Sequence, residues 1–128
     1  MKYGYSKIIE LPFEEAIEKV TEALAAEGFG VLTTIDVKAT MKKKLDVDYE
    51  NYTILGACNP QFAHKALEAE KEIGLLLTCN VIVYQTGAEV YVSAMLPSAA
   101  MSAVENVAVA DVAQVVEEKL KRVVDSVV

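Results

Sequence analysis

Two apolar runs, GLLLTCNVIVYQ (74–85) and EVYVSAML (89–96), are separated only by Thr86-Gly87-Ala88. A connection that short cannot return the chain for parallel pairing, which needs a crossover of roughly a dozen residues. The runs are therefore expected to form an antiparallel hairpin turning at Gly87. The second run alternates, with Val92 and Ala94 on one face and Tyr91, Ser93 and Met95 on the other. If the Tyr/Ser/Met face is left uncovered, it suits a pocket or a dimer contact. Pro97 cannot donate to a ladder and ends the strand.

Helical periodicity brackets this hairpin. Phe13, Ile17, Val20 and Leu24 form one stripe, predicting a helix over 12–27. Pro12, Glu14 and Glu15 suit its start and Gly28 its C-terminal cap. Val112, Val116, Leu120, Val123 and Val127 line one face of a second helix over 108–127, with Glu117, Glu118, Lys121 and Arg122 facing water. Residues 2–9, ahead of the first helix, read as a strand; between the two helices, 29–36 and 52–58 read as strands, and 37–46 as a short helix with Val37, Met41 and Leu45 at helical spacing. Asn59-Pro60 reads as a helix start running to about residue 71, with Asn as N-cap and Pro at the first helical position. Residues 98–107 are expected to form a short helical or irregular connector.

The predicted order is β-α-β-(α)-β-α-β-β-α. With long helices at both ends and a strand-rich middle, the fold class is α+β, in two layers. A chain of 128 residues is expected to form one domain (1–128) with a real core. Trp is absent, so that core must come from Val, Leu, Ile and Ala with a few Phe and Tyr.

A net charge of −7 argues against nucleic acid and anionic membrane surfaces as partners, since phosphate binding needs Lys and Arg. Lys42-Lys43-Lys44 reads as a solvated face. No segment is apolar for the roughly 20 residues that a membrane span needs, and the N-terminus has no signal core. The expected location is the cytoplasm, where Cys58 and Cys79 would stay reduced.

No phosphate-binding glycine loop, HExxH, CxxC or nucleophile elbow is present. Catalytic residues, cofactor and metal are thus all expected to be absent. Chemistry concentrates instead on Cys58, Asn59, His64, Cys79 and Asn80. Cys58 before the Asn59-Pro60 helix start would feel the positive end of that helix, which favours a thiolate. It could equally be a small apolar residue closing a core strand. His64 does not share the Phe62–Ala66 face and reads as partly exposed. A Cys58/Cys79/His64 metal site would be one ligand short of structural zinc, unless Met95 or Asp36 completed it. Asn59 reads most simply as the cap. Asn80, inside an apolar strand, would need hydrogen-bond partners if buried.

EGFGVLTTIDVKATMKKKLDVD (27–48), YTILGACNPQFAHKALEAEKEIGLLLTCNVIVY (52–84) and VSAML (92–96) together resemble the DUF302 family of small bacterial and archaeal proteins. Thr78 and Leu96 depart from that pattern, standing where the family often has Pro and Asp. The resemblance implies a TATA-box-binding-protein-like fold, a curved antiparallel sheet with helices on one face (β-α-β-β-β-β-α with short inserted helices), and a homodimer. Two functions from different classes remain. One is a non-enzymatic homodimeric module binding a small ligand or partner on the sheet or at the dimer seam. The other is a thiol-dependent redox or metal-handling protein using Cys58.

Overall fold

Five strands pair in the order β1-β5-β4-β3-β2, and every neighbouring pair is antiparallel. They are β1 (Gly4–Ile9), β2 (Gly30–Asp36), β3 (Tyr52–Cys58), β4 (Cys79–Thr86) and β5 (Glu89–Met95). The helices are α1 (Phe13–Ala26), α2 (Val37–Leu45), α3 (Pro60–Ala69), α4 (Pro97–Ala100) and α5 (Val107–Ser126). This computed structural model describes residues 2–128. The expected α+β class holds: helices cover one face of a curved antiparallel sheet, in two layers.

The hairpin forms as its short connection demands. Thr86 pairs with Glu89 across Gly87-Ala88, and Gly87 takes φ +62°, which a side chain would resist. On the helix side, Val81, Val83, Val92 and Ala94 are completely or almost completely buried against α1 and α5. Burial of each such aliphatic side chain contributes about 1.5–3 kcal/mol before the entropic cost of ordering it.

Helix α1 inserts Ala16, Val20 and Leu24 into this core. It ends in a Schellman turn: Gly28 N–H donates to the Ala25 carbonyl at 3.0 Å and Phe29 N–H to the Leu24 carbonyl at 2.9 Å. Gly28 sits at φ +87° there. The same corner is tied to α5, because the Arg122 guanidinium donates to the Glu27 carboxylate at 3.0–3.3 Å. That bond, aided by the Arg122 and Lys119 charges, holds the Glu27 carboxyl below its usual range.

Three expectations need correction. The buried strand expected over 74–85 begins only at Cys79; Lys71–Leu76 is a 3-10 segment and Leu75 is 84% exposed. Helix α3 ends at Ala69, and the chain must then climb back to the sheet, with Ile73 alone of that segment buried. A short apolar run without periodicity does not distinguish strand from turn.

The second correction is Glu117, expected in water but 8% exposed. Its carboxylate accepts from the Ser98 backbone N–H at 3.0 Å and from the Ser98 hydroxyl at 2.6 Å, fastening α4 onto α5. Glu117→Ala would leave both Ser98 donors without this acceptor and is expected to cost about 1–2 kcal/mol. Glu117→Gln keeps an acceptor and is expected to lose less. Thermal unfolding of both variants checks this; equal losses, or none, would refute the role.

The third is Asn59, which precedes α3 without capping it through its side chain. Its Nδ2 donates instead to the Glu27 carbonyl at 3.2 Å, bridging the ends of α1 and β3.

Candidate functional site

The side of the sheet turned away from the helices carries no covering element among the described residues. The register builds its central feature. Tyr52 lies opposite Tyr84, and Tyr84 opposite Tyr91, so three phenol rings stand in one row across β3, β4 and β5. Their centroids are 5.4 and 4.7 Å apart, with interplanar angles of 18° and 3°. Tyr49 extends the row, tilted, at 6.4 Å from Tyr52. Such cross-strand aromatic pairs each add about 0.5–1.5 kcal/mol beyond simple burial.

Beside the row lies a concavity of about 440 Å³, reached by Tyr3, Tyr52, Asn80, Ile82, Tyr84 and Met95. Its floor includes a hydroxyl pair, Ser6 Oγ and Ser93 Oγ, 2.7 Å apart. None of the residues lining it is charged, in a chain of net charge −7. Desolvation, and then the neighbouring phenols Tyr49, Tyr84 and Tyr3, push the Tyr52 hydroxyl above its ordinary value. Tyr52 therefore stays a neutral donor and acceptor. Asn80 belongs here: it is exposed on the open face, not buried as its apolar neighbours suggested.

Cys58, Asn59 and Cys79 line a second feature, a cavity of about 30 Å³ on the helix side. It lies where the main core meets a smaller cluster built on Ala66, Ile73 and Val109. Cys79 is 5% exposed and Cys58 half-buried, and both thiols are free. Burial pushes the Cys58 thiol up rather than down. Burial, together with the Cys58 charge, pushes Cys79 up to about 11.

The five sequence candidates thus divide. Cys58, Asn59 and Cys79 share the cavity, whereas Asn80 lies on the opposite face. His64 joins neither; it is exposed on α3 and sits 3.1 Å from the Glu68 carboxylate one turn on. Met95 borders the open face and Asp36 caps α2 by accepting from Ala39 N–H, so neither completes a site with the cysteines. Among the described residues, no group of three or more His, Cys, Asp or Glu side chains could hold a metal.

Tyr52 and Tyr84 were not among the sequence candidates, although Tyr91 was placed on this face. A two-residue turn at Gly87-Ala88 pairs Tyr84 with Tyr91 by counting outward, so half of the row was accessible to that signal.

A family model described as "Domain of unknown function DUF302" matches residues 5–127. The chain belongs to the DUF302 family. It is also similar to the crystal structure of an uncharacterised conserved DUF302 protein from Bacillus stearothermophilus, at 27% identity and TM-score 0.93, with both chains covered over 100% of their length. No curated protein matches the chain. The DUF302 likeness thus extends to the full strand and helix arrangement, and among the described residues no helix is long and apolar enough to cross a membrane.

Proposed function

We propose that this single-domain DUF302 protein is a non-enzymatic binding module whose open sheet face is the working surface. The observation that carries this reading is the uncharged concavity beside the Tyr52–Tyr84–Tyr91 row. Phenol hydroxyls, the Ser6/Ser93 pair and the Asn80 amide supply hydrogen bonds among apolar side chains such as Ile82 and Met95. That combination suits a neutral small molecule with a flat apolar body and a few hydroxyl or amide groups. It does not suit phosphate, and nucleic acid is excluded from the reading by charge.

A homodimer is part of the same proposal. Ile8 and Ile35 flank the face on the two edge strands and are 53% and 46% exposed. A second copy would cover them and close the seam over the ligand. Free thiols suit a reducing compartment, so the reading places the protein in the cytoplasm.

Tyrosine fluorescence, clean in a chain with no Trp, can screen neutral aromatic amides and polyols. Tyr84→Ala is expected to weaken any hit at least tenfold while circular dichroism stays native. Light scattering is expected to give twice the chain mass. Unchanged binding in Tyr84→Ala, or a monomer that binds nothing in the panel, would sink the proposal.

A further inference from the structure

The open face is laid out in rows that cross the strands, because successive outward side chains on each strand lie two residues apart. Ser6, Ser93, Ile82 and Ile54 stand side by side on β1, β5, β4 and β3. The next row, on one side of them, is Ile8, Tyr91, Tyr84 and Tyr52. On the other side lie Gly4 paired with Met95, and Asn80 on β4. The middle row is small where the outer rows are large, and the concavity of about 440 Å³ occupies that trough. Its lining takes Ser6, Ser93 and Ile82 from the middle, Tyr84 from one side, and Met95 and Asn80 from the other.

The trough has two unlike ends. At β1 and β5, Ser93 is 8% exposed and its hydroxyl lies 2.7 Å from Ser6 Oγ. Either can donate, and whichever does leaves the other's hydrogen uncommitted by the pair. Toward β3 the row turns apolar, through half-buried Ile82 and Ile54. The span from β1 to β3 is three strand spacings, about 14 Å. The tyrosine side has its own chemistry. Tyr84 and Tyr91 are within 3° of parallel, and Tyr52 is within 18° of Tyr84. Rings stacked in this way spend their faces on one another and offer their positive edges to whatever lies alongside.

We propose, resting on the open-face reading above, that the ligand is a neutral, rod-shaped aromatic molecule with a hydroxyl at one end. It lies across the strands, its hydroxyl on Ser6 and Ser93 and its far ring over Ile82 and Ile54. A length of about 14 Å takes two rings joined by a short link, not one ring. The ligand hydroxyl accepts the uncommitted serine hydrogen and donates to a serine lone pair. Its flat face meets the tyrosine edges, an arrangement that aromatic pairs prefer. Neutrality follows from the lining, which holds no charged residue to pair an anion or cation taken out of water. No covalent bond forms or breaks.

The test uses trans-4-hydroxystilbene, whose emission rises when its central bond is held rigid. Titrated with protein, it is expected to brighten and saturate, with phenol at least a hundredfold weaker as a competitor. The corresponding 4-carboxylate is expected to bind at least tenfold more weakly. Ser93→Ala is expected to weaken the hydroxystilbene at least fivefold and to leave unsubstituted trans-stilbene within twofold of the parent. A general loss of packing would weaken both. Ser6→Ala, at an exposed residue, makes the same comparison should Ser93→Ala unfold. Equal affinity for the carboxylate overturns the proposal. So does a hydroxystilbene affinity that neither serine variant changes. If hydroxystilbene fails to bind while a compact neutral amide still binds through Tyr84, the rod-shaped ligand is wrong and the open-face reading stands. If neither binds, both fall.

Discussion

Gly56→Ala is expected to destabilise the protein by about 2–3 kcal/mol, the upper part of the usual range for overpacking. Gly56 lies in the middle of β3, opposite Asn80 on β4 and Thr33 on β2. A Cβ built there would overlap Thr33 Oγ1 and come within 3.0 Å of Thr78 Cγ2. The crowding has a structural source. The β2–β3 register slips between Val31 and Thr33, so Leu32 is an extra residue, 68% exposed, and Thr33 is carried over Gly56. Thr33→Ala removes the overlapping hydroxyl and leaves only its Cβ, at an ordinary 3.5 Å. The Gly56→Ala/Thr33→Ala double variant is therefore expected to recover most of the loss. Urea midpoints for the two single variants and the double variant measure the coupling. Purely additive losses would show that the contact is not the cause.

This bulge also marks what could be read from the chain and what could not. Helices α1 and α5 announce themselves because Val20, Leu24, Val116, Leu120 and Val123 recur at helical spacing, and each is buried. Strand β3 runs over the expected residues, 52–58, and stops at the Asn59-Pro60 break. Periodicity and turn chemistry are local, and these elements are decided locally. The Tyr52–Tyr84 pairing is not: it spans the whole of α3 and the 3-10 segment, and a slip of one residue would have moved Tyr52 to the helix side. The same non-local register brings Cys79 beside the end of β3, which spacing alone could not establish. Glu117 was misread for a related reason. Its neighbours Glu118 and Lys121 are solvated as the pattern implies, but α4 brings Ser98 to its carboxylate. A polar residue on a helix flank is drawn inward only when a distant segment supplies donors.

The same register that buries Cys79 makes stability depend on alkaline pH. The thiol is pushed from an ordinary 9.0 to about 11, first by burial and then by Cys58. In the unfolded chain it ionises at its ordinary value. Between pH 9 and 11 the folded state keeps a proton that the unfolded state has lost, so the slope of unfolding free energy against pH is negative. Full stability is present below pH 9 and falls away as pH rises toward 11, by up to about 2.7 kcal/mol from this group alone. Cys58, also pushed up by burial, acts in the same direction. Urea unfolding under reducing conditions at pH 7.5, 9, 10 and 11 is expected to show the decline in the parent and a shallower one in Cys79→Ala. That variant loses some packing at every pH, so the comparison lies in the slopes. Parallel slopes would mean that another group carries the alkaline transition and that Cys79 ionises in the folded protein as freely as in the unfolded chain.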